Sequence, residues 1–465
     1  MGSNLGSAFS SPLMLALARQ APASAAGLAQ TLGVSVPTLH RLLRQVPEGQ
    51  VLAAGRARRA RYALRRPLRG VSGDLPVYEV DREGQARLLA PLAPLHPQGC
   101  WMDFGGSPWP APQEARDGWW PGLPYPLYDM RHQGYMGRLF ARAEHRALGV
   151  APDPQAWSDD DVLYVLAQRG TDCSGNLIVG DTAYALWQEA RLSLAPALRP
   201  DETAAAYAAL ADQAVASGVP GSSAAGEFPK FGARRQLPLG VPCDTPHVLV
   251  KFSGAGDSPT VRRWADLLVC EHLALVALAA IPGVAVARSR TLAHAGRTFL
   301  EVERFDRHGE FGRSPLCTLE TLDAAMLGSP PRDWDRVAQR LHAAGLLDGP
   351  DLRRIQLLWW FGRLIANTDM HSGNLSFRPQ AGRLLLAPAY DMLPMLHAPL
   401  AGGEVPMREF APALPLPSQR DVWHEACAAA RESWARAAQD ARISAEFRQL
   451  CARHGDQLDA ASRHA

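Results

Sequence analysis

Lysine is almost missing from this chain. Of its 48 basic residues only Lys230 and Lys251 are lysine, and all the others are arginine. A guanidinium is a planar fork and an ammonium a compact point charge, so the two are not interchangeable. In a chain that uses arginine by default, two lysines 21 positions apart mark places where the point charge is required; the plain alternative is chance. Cysteine is scarce and unpatterned. The seven, Cys100, Cys173, Cys243, Cys270, Cys317, Cys427 and Cys451, make no CxxC and no Cys/His cluster. That argues against a disulfide framework and a structural zinc site, and fits a reducing cytoplasm. No run of uncharged apolar residues approaches the roughly twenty a bilayer demands, so no membrane span is expected. The opening MGSNLGSAFSSPLMLALARQ has a short apolar run without a basic leader and is not read as a signal peptide.

What is present points to several domains, because 465 residues exceed one core. The net charge of +2 hides an asymmetry. Residues 1–70 hold ten arginines and one acid, Glu48, a balance of +9 that leaves −7 for the remainder. A basic head on an acidic body suggests that the head meets a polyanion.

The head reads as three helices, residues 11–20, 24–32 and 37–45, with Gly33 for the tight turn and Ser35 as an N-cap. In the third, Leu39, Leu42 and Leu43 face inward and Thr38, His40, Arg41 and Arg44 are left outside. Residues 51–64 then read as two strands around Gly55, with Arg56, Arg58, Arg59 and Arg61 near the tip. This is the pattern of a helix-turn-helix followed by a wing, whose charge positions a domain on phosphates. The competing reading is a small docking domain with a solvated basic hairpin. Residues 71–210 read as a small sheet, a loop rich in Trp, Pro and Gly that packs Trp101, Trp109, Trp119 and Trp120, helices over 129–148 and 158–169, and a buried strand at 175–180; no catalytic set is visible there.

Residues 219–395 carry four segments in the order that phosphoryl transfer to a hydroxyl requires. In VPGSSAAGEFPKF, Ser223, Ala224, Ala225 and Gly226 let backbone approach phosphate, and Lys230 adds charge. HVLVKFS alternates like a strand and ends at Lys251; Glu271 follows 20 residues later in a long helix, as kinases pair a strand lysine with a helix glutamate. FLEVERFDR reads as a strand leading into a hinge whose main chain, at Glu303 and Phe305, would meet adenine. IANTDMHSGNLSF sets Asp369 and Asn374 five apart, the spacing of a kinase catalytic loop. Asp369 is the candidate base, and Asn374 and the following Asp391, at the end of a short apolar strand, are candidate Mg²⁺ ligands. His371 is either a base or, more simply, a loop brace bonded to backbone beside the nucleotide. Trp359 and Trp360 read as core.

These segments resemble the HipA family of serine/threonine kinases: SSAAGEFPK its Ser-containing phosphate loop, ERFDR its post-hinge strand, NTDMHSGN and PAYDM its catalytic and metal motifs. The resemblance implies a bilobal kinase with an all-helical C-lobe, Lys251 on ATP, Asp369 in catalysis, Asn374 and Asp391 on Mg²⁺, and Ser223 as an autophosphorylation site. It also implies a toxin acting on an aminoacyl-tRNA synthetase. Members usually rely on a separate DNA-binding antitoxin. A fused head is similar to the HipH/YjjJ branch and leaves open whether an antitoxin exists.

The expected architecture is therefore α+β and multidomain: a winged helix-turn-helix over 1–70, an α/β region over 71–210, an ATP-binding N-lobe over 211–308 and a helical C-lobe over 309–465. The expected activity is an ATP- and Mg²⁺-dependent protein serine/threonine kinase. The rivals are a DNA-bound regulator with a nucleotide-sensing body, which the fused head favours, and a small-molecule kinase sharing the Asp/Asn/Asp set.

Overall fold

The structure is a computed structural model that describes residues 11–56, 59–193, 195–216, 228–237, 243–328 and 333–465. At the N-terminus, α1 (Pro12–Gln20), β1 (Ala23–Ser24), α2 (Ala25–Leu32), α3 (Val36–Arg44), β2 (Val51–Ala54) and β3 (Arg61–Leu64) make one small unit. Each helix begins on a serine. Ser11, Ser24 and Ser35 accept from the amides of Met14, Gly27 and Thr38, which satisfies donors that a first turn leaves open. Gly33 ends α2 in the left-handed region at φ 64°. Leu13, Leu17, Leu28, Leu39 and Leu64 close the core, with Leu42 and Leu43 partly buried at its edge. The strands pair antiparallel in the order β1-β3-β2. Their turn requires Gly55: its φ is 93°, and a Cβ there would lie 2.5 Å from the Arg59 carbonyl oxygen.

The next unit is a five-stranded antiparallel sheet, ordered β7-β6-β5-β4-β8, from β4 (Leu75–Val80), β5 (Ala86–Pro94), β6 (Cys100–Trp101), β7 (Trp119–Trp120) and β8 (Leu177–Val179). Helices α4 (Tyr125–Asp129), α5 (Gly134–Leu148), α6 (Asp159–Arg169) and α7 (Asp181–Leu192) accompany it. Ser158 and Asp161 form a reciprocal capping box on α6. The single helix expected over 129–148 is two. Asp129 is buried and bound by the amide of Thr318 at 3.1 Å and the hydroxyl of Thr321 at 2.7 Å, which turns the chain before α5 can start. Trp109, Trp119 and Trp120 pack the loop, and Trp101 and Trp120 donate to the carbonyls of Asp117 and Met102. Leu52 and Ala63 of the head pack on Ala93, Leu95 and Trp119, while Arg66 and Arg69 pair with Asp160 and Asp161.

A second sheet follows α8 (Thr203–Ala216). Its strands β9 (Lys230–Arg234), β10 (His247–Phe252), β11 (Ser289–His294) and β12 (Arg297–Glu303) are antiparallel in the order β11-β12-β10-β9, with α9 (Pro259–Ala279) inserted between β10 and β11. Strand alternation divides its faces. Val248, Val250, Phe252, Phe231 and Phe299 pack with Tyr207 and Ala211 of α8. Leu249 and Lys251 point the other way, towards α9.

The rest of the chain runs through β13 (Arg307–His308), β14 (Gly312–Arg313), β15 (Cys317–Thr318), α10 (Leu319–Met326), α11 (Trp334–Ala343), α12 (Gly349–Leu364), β16 (Ser376–Gln380), β17 (Arg383–Leu386), α13 (Arg420–Gln439) and α14 (Ala445–Ser462). It is mainly helical but not all-helical, since β15-β16-β17 form a sheet of their own. The β16–β17 hairpin buries Phe377 and Leu384 in the core, and a helix could not reverse so tightly between them. One apolar core runs from Leu68 to Leu458 and joins the middle unit to the C-terminal helices. Among the described residues no helix is long and apolar enough to cross a membrane.

Candidate functional site

β10 delivers Lys251 to α9, where its ammonium donates to both carboxylate oxygens of Glu271 at 2.7 Å. It also donates to Asp391. Lys251 is 8% exposed and Glu271 1%. A buried ammonium is tolerated only when paired and hydrogen-bonded, and two carboxylates do that here. Burial alone would lower the lysine's pKa, but Asp391 and Glu271 outweigh it and raise it. Burial pushes the Asp391 carboxyl up, and the ammoniums of Lys251 and Lys230 more than reverse this, so it stays ionised. For Glu271 burial wins over Lys251, and its pKa rises. Lys230 stands directly opposite Lys251 on β9, which sets both lysines of the chain on one face of the sheet.

Asp391 does not end a strand. β17 stops at Leu386, Pro388 denies the ladder a donor, and Asp391 adopts φ 58°, a left-handed conformation that Asp tolerates better than most residues. The catalytic-loop candidate follows α12. Asp369 is exposed. Asn374, 8% exposed, donates through Nδ2 to the Asp369 carbonyl at 3.0 Å, which leaves its amide oxygen as the end suited to a cation. His371 braces the loop: its Nδ1 accepts from the Gly373 amide at 3.1 Å, and its carbonyl accepts from Trp334 at 3.1 Å. Asn367, to which the sequence reading gave no role, ties the parts together. Its Oδ1 accepts from the Asp369 amide at 3.0 Å and its Nδ2 donates to the Asp391 carbonyl at 3.3 Å. The signal was present, two residues before Asp369 in NTD. Trp360 is core, as is the 0%-exposed Phe361 beside it.

The other nominated residues divide. Ser223, Ala224, Ala225, Gly226 and Arg58 lie outside the described residues. Glu303 is opposite Val248, so its side chain shares the α8 face, where it binds Arg235 at 2.8 Å. Its amide donates to Arg288. The structure does not bring that carboxylate to Lys251. Phe305 stacks near Tyr390 at 5.6 Å between centroids, and its carbonyl accepts from Arg378. On the head, Arg41, Arg44, Arg56 and Arg59 are exposed, and Arg59 is 3.6 Å from Asp117. The expected outward placement of Thr38 and His40 is only half right. The Thr38 hydroxyl bonds that of Ser35 at 3.0 Å, and the His40 ring leans on Tyr62 with Nε2 buried.

The residues present fit a nucleotide and a small hard cation in kind. Among the described residues no cluster of three or more His, Cys, Asp or Glu side chains could hold a metal. Mg²⁺ needs less, since one or two protein oxygens suffice when phosphates and water complete its shell. Asp391 and Asn374 each carry a side-chain oxygen of the kind it takes.

The comparisons with known proteins agree on one family. The family described as "HipA-like C-terminal domain" matches residues 222–461, and "YjjJ-like toxin, middle domain" matches 71–188. The chain belongs to the HipA family of toxins. It is 36% identical to "Toxin YjjJ" of Escherichia coli strain K12 over 433 residues, 93% of this chain and 94% of that one. Its fold is similar to a Shewanella oneidensis HipA, solved with HipB and operator DNA, with TM-score 0.51, 16% identity and coverage of 84% of this chain and 97% of the other.

Proposed function

We propose that this chain is an ATP- and Mg²⁺-dependent protein serine/threonine kinase of the HipA toxin type, acting in the cytoplasm on an aminoacyl-tRNA synthetase or another translation protein and on its own Ser223. The observation that carries this reading is the buried Lys251–Glu271–Asp391 triad joined through Asn367 to the loop of Asp369 and Asn374. Lys251 would hold nucleotide phosphates. Asp369, exposed at the cleft, would orient the acceptor hydroxyl and take its proton. Asn374 and Asp391 would hold Mg²⁺, which supplies charge neutralisation on the phosphates when bound. Lys230, and Ser223 to Gly226 before it, would close over the nucleotide. The test is phosphoproteomics after induction of wild type and of Asp369→Asn. New phosphosites that appear only with wild type support the reading, and identical patterns overturn it.

The same reading divides the chain into a DNA-binding winged helix-turn-helix over 1–70, the region 71–210, an ATP-binding lobe over 211–308 and a catalytic lobe over 309–465. The exposed Arg41, Arg44 and Arg56 favour DNA as the partner of the head. The Shewanella HipA was solved with a separate HipB on its operator. Here the basic unit is part of the chain itself, so it would reach DNA without an antitoxin. This observation also supports the second reading, a DNA-bound regulator whose kinase-like body only senses nucleotide; the phosphoproteomic comparison separates the two.

A further inference from the structure

The face of the second sheet turned away from Lys251 borders a cavity of about 510 Å³ between α7, α8, β9 and the β13–β14 hairpin. This is within the roughly 300–1,000 Å³ of small-molecule sites. Five arginines line it: Arg191, Arg234, Arg304, Arg307 and Arg313. The carboxylates that answer them are Asp172, Asp306 and Glu310. Arg304 and Arg307 share Asp172 and Asp306, and Arg234 takes Glu310. Arg191 and Arg313 have no carboxylate partner among the described residues. Arg191 sits over the rings of Trp187 and Phe311, each at 4.7 Å. Arg313 is 5% exposed and donates to the neutral carbonyl of Thr171, and its Nη1 is buried without a hydrogen-bond partner among the described residues.

An arginine in that position is costly. Burial, with the Arg307 guanidinium beside it, brings the pKa of Arg313 down to about 9. Five guanidiniums around three carboxylates leave net positive charge at the cavity, with one guanidinium desolvated. The remaining walls are apolar: Trp187, Leu198, Leu210 and Phe311. Excess positive charge beside apolar walls selects a ligand with two anionic oxygens on an apolar body.

We propose that this cavity is a second ligand site, separate from the Lys251 cleft, that binds a small phosphate monoester with an aromatic or aliphatic body. The dianion matches the two guanidiniums without a direct carboxylate pair, Arg191 and Arg313, and the body packs on the apolar wall of Leu198 and Leu210. The β9–β10 pair forms its floor through Gly232, Ala233 and Val248, so the occupant lies across one sheet from Lys230 and Lys251.

The experiment is calorimetry of the full chain with phenyl phosphate, benzoate and benzyl alcohol as probes. Phenyl phosphate should bind, benzoate at least tenfold more weakly, and benzyl alcohol not measurably. Arg191→Gln and Arg313→Gln should each weaken phenyl phosphate at least tenfold, while Lys251→Met should leave it unchanged. Should Arg313→Gln fail to fold, Arg191→Gln decides alone, because that residue lies on the half-exposed side of α7. Binding that survives the arginine substitutions, or that disappears with Lys251→Met, overturns the site. Benzoate binding as tightly as phenyl phosphate overturns the phosphate assignment, and no phenyl phosphate binding overturns both.

Discussion

Lys230 and Lys251 face each other across the antiparallel β9–β10 pair. Two like charges directly opposed on one sheet face repel, at a cost of a few tenths of a kcal/mol to about 1. The arrangement persists because Glu271 and Asp391 bind Lys251 and attract Lys230. Lys251→Arg would keep the charge but not the single-point geometry that lets one ammonium reach both oxygens of Glu271 and also Asp391. We expect kcat/KM for phosphoryl transfer to fall at least tenfold, about 1.4 kcal/mol. Steady-state kinetics at saturating Mg²⁺ check this, and wild-type values would reduce the lysine pairing to coincidence.

Asp369→Asn should abolish transfer while leaving the fold and ATP affinity largely intact, since the residue is exposed and its amide bond to Asn367 does not depend on the carboxylate. Asp391→Ala should instead remove the Mg²⁺ dependence of ATP binding. Calorimetric titrations with and without Mg²⁺ distinguish the two. An active Asp369→Asn protein contradicts the first expectation, and an unchanged metal titration the second.

Much of this site was legible because its chemistry is carried by side chains at fixed sequence spacing. Lys251 precedes Glu271 by 20 residues, and Asp369 precedes Asn374 by five. The helix starts at Ser35 and Ser158 were legible for a similar reason, because a cap is a local hydrogen bond. What failed was set by distant contacts. The break after Asp129 is imposed by Thr318 and Thr321, 189 and 192 positions away. Asn367 was overlooked because its role is to join two backbone segments, a function with no residue pattern of its own.

That role can be measured. Asn367→Ala removes two hydrogen bonds that fix the Asp369 loop against Asp391. At about 0.5–1.5 kcal/mol each, kcat should fall about tenfold or more. KM for ATP should change little, because Lys251 and Glu271 are untouched. A residue that merely supports the fold would lower Tm and leave the kcat-to-KM split unchanged.

On the head, Arg41→Ala with Arg44→Ala in the full chain should weaken duplex DNA binding to all sequences and reduce its salt dependence by about two phosphate contacts. Arg59→Ala should matter less, because Asp117 already faces it at 3.6 Å. Fluorescence anisotropy across a salt series reads both. DNA affinity that ignores these arginines would favour a docking role for the unit.

The last expectation concerns acid. His397 and His454 are buried at 1% and 3% exposure, with their Nε2 atoms 2.9 Å apart. Only one of the two nitrogens can carry the shared hydrogen, so protonating the acceptor destroys the bond and sets two N–H groups against each other, one of them on a buried cation. Burial, then the neighbouring His454, pushes His397 down to about 3, and burial lowers His454 as well. Folded values below the unfolded value of about 6.5 mean that the unfolded chain binds more protons between them. The stability these neutral rings contribute is therefore complete above about pH 6.5 and is lost as pH falls towards the folded values, at up to about 1.4 kcal/mol per pH unit for each histidine. His132 and His308, both lowered to about 4 with burial as the main cause, act in the same direction. Urea midpoints measured at pH 7.5, 6.5 and 5.5 should fall steadily below pH 6.5. His397→Gln removes one titrating ring and the opposed N–H groups, so its midpoint should start lower but fall less steeply. A variant whose acid slope equals that of wild type would show that this histidine pair does not set the acid limit.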